Sequence, residues 1–336
     1  MTRLTKQQKM KQLLIIALIS ITVEEDEDEE DEPLWPKELV QLSYTNFGVG
    51  RGKIKQTRTS LSPSNQYLKL IAQPSLFYPL THMNLEQFNF ICTNTCPSNT
   101  NIKVLNWKNK VLLTLRWAIH FPTTSELSHC FNISSGVTSK IIKEVLFVLS
   151  GYFQHFIPNS IENVHLLPKS ELSSKLCFII DRTITHVQRK GFEKYCRSDK
   201  KGKFVQTILI VDYTGLIYAF ETNIPGHLPD NAVPKVSKLF HTMFDSNDIY
   251  CISDTGFSNI SFVTHGYRLN QLKSENIRLF DTISRREQKK IEHVNGHLKN
   301  FSTLRNCQKM EEEKFIQIVF IATGLYNFKK INFIDF

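Results

Sequence analysis

At 336 residues, 41% of them hydrophobic, the chain carries enough apolar material for a folded core and a length that suggests about two domains. Its 41 Lys and Arg against 32 Asp and Glu give +9; with the acidic run Glu24–Glu32 set aside, 41 bases face 23 acids, +18, so the body is strongly basic and suited to a polyanion, nucleic acid first. That composition excludes a wholly disordered chain, and seven scattered cysteines argue against a disulfide framework and for a reducing compartment. Cys92 and Cys96, in "CTNTC", read as reduced structural thiols, because no second ligand pair stands at zinc-finger spacing.

In chain order, the apolar run 13–23, "LLIIALISITV", is too short to span a bilayer, lacks a small-residue cleavage pattern and runs straight into the acids. It reads as a helix or tail segment, and no membrane partner is expected. The stretch 46–65, "NFGVGRGKIKQTRTSLSPSN", is polar and basic and reads as a flexible linker, so residues 1–65 form a tail and structure begins near Tyr67. A helical region is expected over 66–165. "NWKNKVLLTLRWAIH" (106–120) places Val111, Leu112, Leu115 and Ile119 near one face. "TTSELSHCF" (123–131) opens on a capping hydroxyl, and "SGVTSKIIKEVLFVLSGYF" (135–153) carries the stripe Val137, Ile141, Val145 and Leu149. Three helices with a short turn before the third have the grammar of a helix-turn-helix at about 106–150. Ser135, Thr138, Ser139, Lys140 and Lys143, on the opposite face of the third helix, would then meet DNA phosphates or base edges. The same pattern also suits a plain three-helix bundle with a solvated face.

Beyond Pro168 the periodicity changes. "KLCFIID" (175–181) reads as a strand ending at Asp181, and "KFVQTILIVDYTGLIYAFE" (203–221) as two strands joined by the turn "DYTG". "DNAVPKVSKLFHTMF" (230–244) predicts a helix from near Pro234, "DIYCISD" (248–254) a buried strand delivering Asp254, and "ISRREQKKIEHVNGHLKNFSTL" (283–304) a charged helix bearing Glu292. The sum is a mixed α/β domain over about 170–330.

Singly, Asp181 and Asp254 read equally well as turn caps and Glu292 as an exposed helix charge. Together, two strand-end aspartates and a helical glutamate in a basic chain are the hard-oxygen set that two Mg²⁺ (or Mn²⁺) ions need for phosphodiester chemistry.

The segment from about 175 to 330 resembles the catalytic domain of DDE transposases of the PIF/Harbinger-like superfamily and their bacterial insertion-sequence relatives. The resemblance is carried by "YCRSDKKGKFVQTILIVDYTGLI", "PGHLPDNAV", "ISDTGF", "IEHVNGHLKNFSTLR" and "GLYNF", and upstream by "VLLTLRWAIHFPTTSELSHCFNISSGVTSKIIKEVL" over 111–146, which is similar to the helix-turn-helix that accompanies this domain. It implies a ribonuclease-H-like mixed sheet with flanking helices behind an all-α helix-turn-helix domain, and a nuclear DNA-cutting and DNA-joining enzyme. Asp181, Asp254 and Glu292 would be its metal-binding catalytic triad and Asp230 an auxiliary residue near the site. Asp212, in a hairpin turn, is expected to be structural. His293 and Asn295 flank the glutamate and are expected to face solvent. Lys289, Lys290 and Lys299, with Arg189, Lys190, Lys200, Lys201 and Lys203, would contact phosphates. Double-stranded DNA is the implied partner; an accessory DNA-binding protein and self-association stay open. The chain departs from the family at Arg182, where a glycine is usual and a bulky cation would crowd or repel the metals, and at Gln288, where an arginine is common. Both departures leave open a transposase-derived protein that binds DNA without cutting it.

Overall fold

The computed structural model describes residues 63–98, 102–158, 167, 170–173, 175–187, 203–244, 249–257, 260–265, 275–307 and 310–332. The apolar run 13–23, the acidic run, most of the linker, and Arg189, Lys190, Lys200 and Lys201 lie outside the described residues.

Short polar residues start the helices as the sequence implies. After α1 (Gln66–Ile71) and α2 (Phe77–Thr81), α3 (Leu85–Thr95) opens on a reciprocal capping box between Asn84 and Gln87. Asn106 caps α4 (Trp107–His120), Thr123 and Glu126 form a second capping box on α5 (Thr124–Phe131), and Ser134 caps α6 (Ser135–Gln154). α5 stops at Asn132, whose left-handed φ of 53° asparagine tolerates. Only Asn132–Ser134 separate α5 from α6.

A mixed sheet follows, in the order β3-β2-β1-β4-β5. β1 (Leu176–Val187) pairs antiparallel with β2 (Lys203–Asp212), which pairs antiparallel with β3 (Ile217–Pro225). β4 (Tyr250–Ser253) and β5 (Val263–His265) add in parallel on the other side of β1. Between β3 and β4 stand α7 (Val233–Val236) and α8 (Lys238–Phe244); Ser237 interrupts the single helix expected there. The glutamate helix is longer than its charge pattern suggests, α9 spanning Glu275–Lys299, and is followed by α10 (Ser302–Arg305), the two-residue β6 (Asn306–Cys307) and α11 (Glu312–Asn332). A mixed sheet of five strands in line, with β6 added beside β1, and helices on both faces is consistent with a ribonuclease-H-like fold.

β1 does not end at Asp181 but runs six residues further, so that carboxylate sits mid-strand. On the edge of β1 opposite β2, β4 pairs as far as Ile179 and β6 only from His186. The interval between them contains Asp181.

Two hydrophobic clusters sandwich the sheet. One joins Ile179, Leu209 and Ile252 to Ile291, Val294 and Leu298 of α9, to Phe315 and Phe328 of α11, and to the helices of 67–156. The other joins Phe178, Ile180 and Ile208 to Phe240 and Phe244 of α8. Residues on both sides of the expected boundary near 165–170 share the first cluster. The "GLYNF" motif welds α11 to its neighbours: Asn327 donates to the carbonyls of Phe156 and Ile217 and accepts from Ile217 N–H, and the Phe328 ring meets Phe156 edge-on. At Gly324 an added Cβ would lie 2.9 Å from the carbonyl carbon of Phe153 and closer still to its oxygen, both of them backbone. Gly324→Ala is therefore expected to lower stability by about 2 kcal/mol or more, despite alanine's better helix propensity. Gly151→Ala, at an exposed α6 position with open space around it, should raise stability by about 0.5–1 kcal/mol. Urea denaturation of the two variants checks the opposite signs.

Candidate active site

The register of the two parallel central strands brings the aspartates together. Ile179 lies opposite Ile252, so extending that register by two residues puts Asp181 level with Asp254, which follows directly on β4. Asp181 stands across from Leu209, a member of the cluster under α9 and α11, so its carboxylate points to the α9 side. There Asn295 Nδ2 donates to Asp181 Oδ2 at 2.7 Å, while the Arg182 N–H donates to Asp181 Oδ1 at 2.6 Å. Glu292 stands on α9 one turn before Asn295 and, like Asp254, is exposed.

Burial, first, holds the Asp181 carboxyl up at about 7; the Arg182 N–H opposes that shift, and the negative charges of Asp254, Asp230 and Glu292 add to it. Four carboxylates thus bear on one another. Gly256 shows how closely two of them approach: its N–H donates to Asp254 Oδ1 at 3.0 Å, and a Cβ on it would overlap Asp230 Oδ2. The glycine of the "DTGF" turn is required by this crowding rather than by a left-handed backbone.

Arg182 does not crowd this side. Its cross-strand neighbour Ile208 belongs to the opposite cluster, and its guanidinium forms an ion pair with Asp230 and donates to Leu228 O at 3.4 Å. Gln288 takes a structural part, its amide donating to Ser253 O and tying the end of β4, and with it Asp254, to α9.

The donor set is all carboxylate oxygen, which suits Mg²⁺ or Mn²⁺ and not a thiolate-loving or imidazole-loving metal. Burial first, and the neighbouring acids after it, disfavour the ionised Asp181 carboxyl, a cost that a cation would relieve. Among the described residues, no three His, Cys, Asp or Glu side chains stand as a ready-made metal group. Asp181 is largely buried and held by two hydrogen bonds, whereas Asp254, held by the Gly256 N–H, and Glu292 are exposed, which leaves their side chains room to adjust to an ion.

The remaining expected site residues divide. Asp212 is buried and structural, accepting from Thr214 N–H, Thr214 Oγ1 and Leu216 N–H. Lys289 and Lys299 are exposed on α9 and Lys203 is half-buried at the start of β2. Lys290 is engaged with Glu287 and Tyr213 O. On α6, Ser135, Ser139, Lys140 and Lys143 are exposed, but Thr138 is fully buried with its hydroxyl on Ser134 O, so it leaves the groove-facing set. His293 is exposed, as expected. Asn295 is buried on Asp181 instead of facing solvent. Its signal in the sequence is a polar residue inside the apolar stripe Ile291, Val294, Leu298.

Residues 177–327 match the family model described as DDE superfamily endonuclease. No curated protein and no solved structure matches the chain. The matched segment holds Asp181, the three acids Asp230, Asp254 and Glu292 whose charges reach it, and Asn295, which donates to it.

Proposed function

We propose that the chain is a divalent-metal-dependent DNA endonuclease of transposase type, cutting and joining phosphodiester bonds through Asp181, Asp254 and Glu292. The reading is supported by the largely buried Asp181 of β1 feeling the charges of Asp254, just after β4, and of Glu292 on α9, within the segment that matches the endonuclease family. A bound Mg²⁺ or Mn²⁺ pair would activate the attacking water or 3′-hydroxyl and neutralise the leaving oxygen. Asp181, Asp254 and Glu292 would hold the ions, with Asn295 fixing the orientation of Asp181. Lys289, Lys299 and Lys203 would lead the phosphate backbone of the duplex to them. α5 and α6, separated by three residues, would serve as a helix-turn-helix, with Ser135, Ser139, Lys140 and Lys143 facing the duplex from α6. The motif order supports the PIF/Harbinger-like type, and a DNA substrate makes the nucleus the expected location.

A second reading, a transposase-derived protein that binds DNA without cutting it, draws on the lack of a ready-made metal group among the described residues. Incubation with supercoiled plasmid separates the two. Nicked circles with Mg²⁺ or Mn²⁺ and none with EDTA are the expected result; retention of DNA without nicking under any divalent ion would leave only the second.

A further inference from the structure

We infer that the Arg182–Asp230 ion pair removes Asp230 from the ligand set and sets the charge of the metal site from the far face of the sheet. The inference rests on the proposed metal site and goes beyond it, since the resemblance places Asp230 at the site as an auxiliary and treats Arg182 as an intruder.

Arg182 and Asp181 are neighbours on β1 and so point to opposite faces, Asp181 toward α9 and Arg182 toward the loop before α7. Asp230 lies in the short 3₁₀ turn Asp230–Ala232 that ends this loop. Both side chains of the pair are only 14% exposed, so solvent screens their charges weakly. Asp230 Oδ2 abuts Gly256, whose N–H holds Asp254 Oδ1, and its charge reaches Asp181. Paired with Arg182, Asp230 adds no net charge to the site. Three carboxylates, not four, then face an incoming cation. Removing the guanidinium would take one positive charge from beside the proposed ligands, and removing Asp230 one negative charge from the same place.

This predicts an order of metal affinities that steric crowding by Arg182 does not. Mn²⁺ binding to the full chain, measured by electron paramagnetic resonance or calorimetry without DNA, should be about tenfold or more tighter in Arg182→Met and about tenfold weaker in Asp230→Asn. The double variant should lie within about threefold of the unsubstituted protein, because it restores the same charge. Circular dichroism melts in EDTA verify that each variant is folded; if Arg182→Met is not, Arg182→Gln supplies the same test. Equal loss of Mn²⁺ in Asp230→Asn and in the double variant would overturn the inference, since Asp230 would then be a ligand. So would unchanged affinity in Arg182→Met. Failure of the underlying metal site looks different: no Mn²⁺ binding to the unsubstituted chain, or equal binding by Asp254→Ala, removes the site and the inference together.

Discussion

Asp254→Ala is expected to lower divalent-dependent strand cleavage by about 10³-fold or more, equivalent to about 4 kcal/mol of transition-state stabilisation. Asp254 follows β4 at the level where the register meets Asp181, and its charge is the largest of the neighbouring charges raising the Asp181 carboxyl. At the proposed metal site its removal would delete one oxygen ligand and leave the largely buried Asp181 to hold an ion with Glu292 alone. Glu292→Gln, which keeps size and polarity but removes charge, should fall as far if the charge is what matters. Glu313→Gln, at an exposed position on α11, should leave the rate unchanged. Gel quantification of nicked plasmid at fixed Mn²⁺ measures all three.

Acidity gives the same site a second signature. With its carboxyl held near 7 against an ordinary 3.8, Asp181 is protonated in the metal-free fold at pH 6 and ionised at pH 8. Between 3.8 and about 7 the folded chain binds more protons than the unfolded chain, so this group's contribution to stability is full below 3.8 and is lost as pH rises through about 7. A divalent ion at the proposed site would compete with that proton. Mn²⁺ affinity and cleavage should both rise with pH across this window, and added Mn²⁺ should raise the melting temperature more at pH 8 than at pH 6.

Much of the fold was legible because local chemistry agreed with it. The caps Asn106, Thr123 and Ser134 sit where short polar residues precede apolar periodicity, and the "DYTG" turn joins β2 to β3 as expected. The failures share one cause, buried polar groups that hide the period. β1 runs through "RTITHV", where Thr183 and Thr185 are buried and Thr185 donates to Leu304 O. Thr185 reads as part of a strand end because its partner lies far away in the chain. Thr138 sits one turn before Ile141 and two before Val145 on the inner stripe, so spacing rather than polarity was the better guide to its burial. The acids Asp181, Asp254 and Glu292 were visible as residue types at element ends; the ion pair of Arg182 with Asp230 and the hold of Asn295 on Asp181 appear only when the sheet and α9 are assembled.

Glu144→Ala is expected to destabilise the protein by about 3–5 kcal/mol, far more than its surface position implies. Lys110, on α4, has a side chain with no exposure at all, and its ammonium meets Glu144 Oε2 on α6 at 3.2 Å. Nearly every face of α4 is buried, so the lysine has no route to water without moving a helix. Deleting the carboxylate therefore strands a cation among apolar neighbours. The reverse deletion is mild. Glu144 keeps 19% exposure and can turn outward, while Lys110→Met replaces the stem and ammonium with an apolar chain of similar length, for a change within about 1 kcal/mol of zero. Urea midpoints at constant m value compare the two. Equal losses would mean that the pair itself, rather than the unpaired lysine, carries the cost.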